Sequence, residues 1–325
     1  MDRHDEEPAR LEVTGVSKRF GAVRAIRSAD LRVRPGTVHA LVGENGAGKS
    51  TLIKILSGAE QADTGQVRFD GAPATISSTA DAMALGIATV YQEPQLFPDL
   101  TVAENVFLGR ERKRAGRVDW AAQNAVVVEL LELIGLPARY ATTAVRDLSV
   151  AEQQQVSIAK ALAHEAKVLI LDEPSAILTD AEIEVLFSVV RRLVDTGVSV
   201  IYISHRLDEL FVIASAVTVM RDGQTVGTWP VEELSVRRVV ELMVGGVLDE
   251  APEARPAATG EPLLALEGLG DGSRFHDVDL AVRPREVVTL YGLVGSGVAE
   301  IAEAVYGMRR TASGRVLLEG RAVAP

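Results

Sequence analysis

The 325 residues contain no cysteine, which excludes disulfides, thiolate metal sites and thiol nucleophiles. That absence fits a reducing compartment. No apolar run approaches the roughly 18 residues a bilayer-spanning helix needs. The opening MDRHDEEPAR also lacks the apolar stretch of a signal peptide. A role at a membrane therefore has to come through a partner. Basic excess is missing too: 34 Lys and Arg face 45 Asp and Glu, for a net charge of −11. This balance argues against a general nucleic-acid binder, so no nucleic-acid partner is expected. The 47% hydrophobic content is ordinary for a globular protein, and the length suffices for two domains.

Against these absences stands one complete motif. Residues 43–50 read Gly-Glu-Asn-Gly-Ala-Gly-Lys-Ser, a full match to the phosphate-binding loop. The apolar run Thr37 to Val42 predicts a buried strand before it, and Ser50 to Ser57 predicts a helix after it. Strand, glycine loop and helix is the order the motif requires. Gly43, Gly46 and Gly48 leave room for backbone N–H groups to converge on phosphate oxygens. The helix start adds its positive dipole end. Lys49 is expected to reach the β- and γ-phosphates, Ser50 to ligate Mg²⁺, and Thr51 to add a phosphate contact. The competing reading is a glycine turn beside a surface lysine.

Val168 to Leu171 predicts a strand buried on both faces, followed by Asp172 and Glu173. Asp172 is placed to hold Mg²⁺ through water, and Glu173 to orient or deprotonate an attacking water. A solvated acidic strand end is the alternative. Asp180 to Thr196 has the spacing of a helix with one buried face, ended by Gly197. Val198 to Ile203 predicts another buried strand with Ser204 and His205 at its end. His205 there is either a phosphate contact or simply a surface residue. Ser149 followed by Glu152 is a capping box that opens a helix over 149–164. A helix start with a serine is also an anion site. Arg110 to Arg117 is a basic run that predicts a solvated loop, with proximity to an anionic membrane surface as the other reading.

The chain also repeats itself. Asp30-Leu31-Arg32-Val33-Arg34-Pro35 recurs as Asp279-Leu280-Ala281-Val282-Arg283-Pro284, a shift of 249. The same shift carries Gly43, Gly46 and Gly48 onto Gly292, Gly295 and Gly297, and Gly58, Gly65 and Gly71 onto Gly307, Gly314 and Gly320. Lys49, Ser50 and Thr51 become Val298, Ala299 and Glu300, so the second loop is a degenerate nucleotide loop or a structural turn. The expected organisation is a flexible tail over 1–10, an α/β domain over 11–246 and a linker over 247–262. A partial second copy over 263–325, with unpaired strand edges, completes it.

Taken together, GENGAGKST (43–51), YQEP (91–94), LSVAEQQQVSIAKAL (148–162), LILDEP (169–174) and SHRLDEL (204–210) resemble the ATPases of ABC transporters. More closely, the chain resembles the tandem ATPase of bacterial monosaccharide importers of the ribose, xylose and galactose type, its C-terminal half truncated. The resemblance implies an α/β P-loop fold with a mixed sheet and a mostly helical insert over about 93–165. It implies ATP and Mg²⁺ as cofactors, and permease subunits and a sugar-binding protein as partners. It also implies head-to-tail pairing with a second ATPase domain and a peripheral location on the cytoplasmic face of the cell membrane. Phe20 would stack on adenine. Gly43, Glu44, Asn45, Gly46, Ala47, Gly48, Lys49, Ser50 and Thr51 would hold the phosphates. Gln92 would ligate the metal and sense the γ-phosphate, and Ser149 would cap a γ-phosphate bound by the opposing domain. Asp172 would serve the metal, Glu173 the water, and His205 would be the switch histidine. Two soberer readings are a remnant that binds ATP without cycling and an ABC-type ATPase outside transport.

The family signature Leu-Ser-Gly-Gly-Gln is altered here: Val150, Ala151 and Glu152 replace its last three residues. Glu152 would repel phosphate unless the helix cap engages it. In a head-to-tail pair this signature meets the degenerate loop, so both defects fall on one composite site. The expectation is one hydrolytic and one mainly structural site.

Overall fold

The computed structural model describes residues 9–246, 259–292 and 295–323. The chain divides into two compact units, residues 1–248 and residues 249–325. Most of the expected tail and linker thus lies outside the described residues. Arg10 belongs to the sheet rather than to a tail: its N–H donates to the Val33 carbonyl at 2.8 Å, and its guanidinium meets Asp70 at 2.6 Å.

The first unit begins with β1 (Leu11–Phe20), β2 (Val23–Val33) and β3 (Val38–Val42), then α1 (Lys49–Leu56). It continues with β4 (Thr64–Phe69), β5 (Ala72–Ala74), α2 (Thr79–Leu85) and β6 (Ile87–Val90). A mainly helical stretch follows: α3 (Val102–Phe107), the short strands β7 (Lys113–Arg114) and β8 (Arg117–Val118), α4 (Trp120–Leu133) and α5 (Val150–Leu162). Then come β9 (Val168–Asp172), α6 (Asp180–Asp195), β10 (Ser199–Ile203), α7 (Leu207–Ile213), β11 (Ala216–Arg221), β12 (Gln224–Pro230) and α8 (Val236–Val244). The expected basic loop is a hairpin instead. Ala115 and Gly116 have φ of 50° and 78°, the pair of positive values that closes a two-residue hairpin.

The sheet runs β5-β4-β1-β2-β12-β11-β3-β10-β9-β6. It is mixed: β1 pairs antiparallel with β2 and β4, whereas β3, β10, β9, β6 and β11 run parallel. Ser28 and Gln224 join the two regions. The central strands β3 and β10 are buried at every position because both faces are covered. Alternate residues feed two cores. Ala40, Val42, Leu169, Leu171, Val200 and Tyr202 pack with residues of α3, α4, α5 and α6. Leu41, Val168, Ile170, Ile201 and Ile203 pack with α1 and the inner face of β1 and β2. Among the described residues no helix is long and apolar enough to cross a membrane.

The second unit contains β13 (Leu264–Gly270), β14 (Val278–Val282), α9 (Val298–Tyr306), β15 (Ser313–Leu318) and β16 (Arg321–Val323). Its sheet order, β14-β13-β15-β16, repeats β2-β1-β4-β5. Val13 pairs with Leu31 and Val67, and Leu266 pairs with Leu280 and Val316. Leu280 and Val316 stand 249 residues beyond their counterparts, but Leu266 stands 253 beyond Val13. The second hairpin is therefore shorter by four residues at its tip. Backbone contacts confirm the alignment. The Gly15 amide donates to Asp30 at 2.9 Å, and the Gly268 amide donates to Asp279 at 2.8 Å.

Candidate nucleotide site

Gly46 and Gly48, between β3 and α1, have φ of 86° and 101°, values that favour glycine. The first helical bond runs from Leu52 N–H to the Gly48 carbonyl at 2.9 Å. The amides of Gly48, Lys49, Ser50 and Thr51 thus precede the ladder, at the positive end of the α1 dipole. Glu44, Asn45, Gly46 and Ser50 are exposed. Ala47 is oriented differently from the expected phosphate contact. It is 4% exposed, its N–H is used by the Glu44 carbonyl at 3.1 Å, and its carbonyl accepts from Gly223 at 3.2 Å. Two of the glycines also serve the fold. A Cβ on Gly43 would lie 2.3 Å from the Met220 carbonyl oxygen, and one on Gly48 2.8 Å from that of Ala25.

The order β3-β10-β9-β6 puts four carboxyl-terminal strand ends side by side, the edge where ligands bind in parallel sheets. β3 leads into the glycine loop, β9 into Asp172 and Glu173, β10 into Ser204 and His205, and β6 into Gln92. Lys49 Nζ donates to the Gly43 carbonyl at 2.6 Å and the Glu44 carbonyl at 3.1 Å. Burial pulls its ammonium below the ordinary value, while Glu173 and then Asp172 draw it back up. Burial, then the neighbouring Glu173, push the Asp172 carboxyl up, and Lys49 opposes them. The charges of the two acids thus oppose the effect of burial on the loop lysine. Glu173 has φ of 52°, an unusual conformation for a non-glycine residue. Its N–H is held by the Ile203 carbonyl at 2.9 Å, and its carboxylate Oε2 is hydrogen-bonded to His205 Nδ1.

The other expected site residues are placed less closely. Gln92 is exposed, two residues beyond β6. Phe20 is 43% exposed at the tip of the β1–β2 hairpin, not a core residue, and the Lys18 ammonium stands 5.1 Å from its ring centroid. Ser149 is the N-cap of α5 and is tied into that helix, so the structure does not bring it to the strand edge. Its N–H donates to Glu152 Oε2 at 2.7 Å. The Tyr140 hydroxyl donates to the other oxygen of Glu152 at 2.8 Å. Partial burial raises the Glu152 carboxyl, but the Ser149 amide and the Tyr140 hydroxyl hold it below the usual range. The cap thus engages the carboxylate that replaces the signature glutamine. Nothing near Ser149 in sequence signalled Tyr140.

In the second unit Gly295 and Gly297 repeat the left-handed values, at 86° and 90°. Leu293 and Val294 lie outside the described residues. The tip that carries Lys18 and Phe20 in the first copy is replaced by Asp271, Gly272 and Ser273. Asp271 Oδ1 accepts from the amides of Ser273, Arg274 and Phe275 at 2.8, 2.7 and 3.2 Å. Despite the cost of burial, these bonds hold its carboxyl far below the usual range. The second copy therefore differs from the first at its hairpin tip as well as at its loop.

Open amides, an ammonium and an exposed serine hydroxyl beside two carboxylates fit a nucleoside triphosphate with a hard divalent cation. Among the described residues no group of three or more His, Asp or Glu is placed to hold a metal by itself. A magnesium ion here would draw most of its oxygens from phosphate and water. The fold and this edge define a P-loop nucleotide-binding cassette.

Comparison with known proteins narrows that class. Residues 26–176 match the ABC transporter family. The ribose import ATP-binding protein RbsA 1 of Streptomyces coelicolor is 48% identical over 315 residues, 96% of this chain and 62% of that protein. A putative ribose/galactose/methyl galactoside import ATP-binding protein of Burkholderia ambifaria is 46% identical, over 95% of this chain and 60% of that protein. The chain thus spans about three fifths of the length of these relatives. A nucleotide-free ATP-binding cassette from an ABC transporter superposes with a TM-score of 0.62 at 26% identity, covering 73% of this chain and 95% of that one. An ABC cassette in its ADP conformation gives 0.64 at 27% identity, covering 73% and 99%. Residues 26–176 thus carry an ABC transporter domain, on the fold of ABC ATP-binding cassettes.

Proposed function

We propose that the chain binds Mg²⁺-ATP at residues 43–51 and hydrolyses it to energise import of a monosaccharide through a membrane permease. The observation that carries this reading is the side-by-side order of β3, β10 and β9, whose ends lead into the glycine loop, His205 and the acids Asp172 and Glu173, with His205 on the Glu173 carboxylate. The import names of its relatives support the sugar. The partners in this reading are permease subunits, a sugar-binding protein and a second ABC ATPase domain paired head to tail. The location is the cytoplasmic face of the membrane.

The amides of residues 48–51 and the Lys49 ammonium would hold the phosphates. Lys49 would exchange the Gly43 and Glu44 carbonyls for phosphate oxygens, which bear more charge. Phe20, exposed at its hairpin tip, would offer a face to the adenine. Ser50, Asp172 and Gln92 would hold the magnesium ion, which supplies charge neutralisation on the phosphoryl group when bound. Glu173 would orient the attacking water and accept its proton. His205, already hydrogen-bonded to Glu173, would fix that carboxylate and face the terminal phosphate. Ser149 would serve the triphosphate of an opposing cassette.

The test is calorimetry with Mg²⁺-ATP together with phosphate release, on the chain alone and with its permease. Saturable binding with turnover that Glu173→Gln removes supports the reading. Binding without turnover under every condition selects a non-cycling nucleotide binder. No binding rejects both.

A further inference from the structure

Glu209, on α7, is absent from the roles assigned above, yet it is 3% exposed and sits directly behind the edge that carries Glu173 and His205. Three hydroxyls converge on its Oε2. Ser175 Oγ donates at 2.7 Å, Tyr202 Oη at 2.8 Å and Ser204 Oγ at 3.1 Å. Its other oxygen faces Arg206 Nε at 3.1 Å. The Ser204 hydroxyl, donating to Glu209, accepts in turn from the Arg206 amide at 3.0 Å. Burial pushes the Tyr202 phenol far above its ordinary value, so it remains a neutral donor.

The positions of these partners matter more than their number. Ser204 and Arg206 flank His205, and both are tied to Glu209. Ser175 lies two residues after Glu173 on the loop leaving β9. One carboxylate therefore joins the β9 exit to the β10 exit, and it sits on a third element. Glu173 depends on such a join because its backbone lies in a sparsely populated region that persists only when its surroundings impose it. The carboxylate divides its work: Oε2 takes all three hydroxyls, whereas Oε1 makes no hydrogen bond and faces the Arg206 guanidinium as an ion pair.

We infer that Glu209 is a positioning residue for hydrolysis: it clamps the two loops that hold Glu173 and His205 in register. This rests on the hydrolytic reading above. Replacing the carboxylate by an amide keeps the volume. However, an amide that still accepts the hydroxyls must turn its NH₂ toward Arg206, donor against donor. The β10 loop then loses its anchor, and misalignment of a base and its water is costly to turnover.

The experiment compares Glu209→Gln, Ser175→Ala and Ser175→Thr in the full chain under the conditions in which the parent turns over. Mg²⁺-ATP affinity and melting temperature are recorded for each. Expected are a fall in kcat of roughly tenfold or more for Glu209→Gln and Ser175→Ala, affinities within about twofold of the parent, and recovery in Ser175→Thr, which keeps the hydroxyl. Glu209→Gln added to Glu173→Gln should cost nothing further, since the clamp acts through Glu173. Ser175→Ala removes a single donor and so keeps the question open to measurement if Glu209→Gln folds poorly. Unaltered kcat in Ser175→Ala, or equal losses in affinity and kcat, would overturn the inference while leaving the hydrolytic reading intact. A parent that binds nucleotide without any turnover would overturn both.

Discussion

His205 Nδ1 is hydrogen-bonded to Glu173 Oε2, across 32 residues of sequence. The acid proposed to activate water and the histidine proposed to face the terminal phosphate thus form one hydrogen-bonded unit. Removing either member should strike the same step. Glu173→Gln and His205→Ala are each expected to lower phosphate release by about 10²-fold or more, with Mg²⁺-ATP affinity within about threefold. Single-turnover phosphate release beside calorimetry checks this. Full activity in either variant would dissolve the pair as a working unit.

Lys49 makes a second prediction. Its ammonium rests on the Gly43 and Glu44 carbonyls, so a nucleotide has to displace those contacts and replace them with stronger, charge-assisted ones. Lys49→Ala should weaken Mg²⁺-ATP binding by at least about tenfold, the loss of one such bond. The fold should survive, because Lys49 is not part of either core. Fluorescence titration with a labelled nucleotide and a melting curve separate the two effects.

The loop glycines should divide by mechanism. Gly43→Ala puts a Cβ 2.3 Å from the Met220 carbonyl oxygen, a clash that requires β11 to shift. A loss of more than about 2 kcal/mol in stability is expected. Gly46→Ala meets nothing within 4 Å and bears only the backbone cost of its φ, roughly 1–2 kcal/mol. Thermal melting of the two variants is the check: equal losses would contradict the assignment of Gly43 to the fold.

His39 carries the pH dependence. It is 2% exposed on β3 with Nε2 at 2.7 Å from the Thr218 hydroxyl. Burial, helped by Arg34, lowers its pKa from 6.5 to about 4. The unfolded chain therefore binds a proton between these values that the folded chain refuses. Stability should be full above about pH 6.5 and fall as pH drops toward 4, by up to about 3 kcal/mol. His39→Gln should flatten that fall. Denaturant titrations at several pH values, parent against variant, test it. Identical slopes would mean that other groups carry the dependence.

Local patterns were legible where one short segment decides the outcome. The apolar runs over 37–42, 168–171 and 198–203 announced strands buried on both faces, and the Ser149–Glu152 spacing announced a helix cap. The Lys113–Val118 hairpin was not legible because its signal, a positive-φ pair at Ala115 and Gly116, is hidden within a run of charge. The shortened second hairpin was missed for another reason. The repeat was aligned from residue 30 onward, where the spacing is constant, and only strand pairing reveals that Leu266 stands opposite the counterparts of Leu31 and Val67. Tyr140 on Glu152 and the three hydroxyls on Glu209 were invisible, since no local period links residues on different elements.

Residues 43–51, the two acids at the end of β9 and the duplication follow from the sequence by itself, because each is a pattern of residue types at fixed spacing along the chain. Tertiary structure alone decided which strand ends lie side by side. β3, β10, β9 and β6 are out of chain order, and only their hydrogen-bonded register sets the end that leads into the glycine loop beside those that lead into His205 and the two acids, joins His205 to Glu173 and gathers Ser175, Tyr202 and Ser204 onto Glu209. Hydrogen bonds and charges act through space, and only the folded sheet determines the distances between groups that lie far apart along the chain.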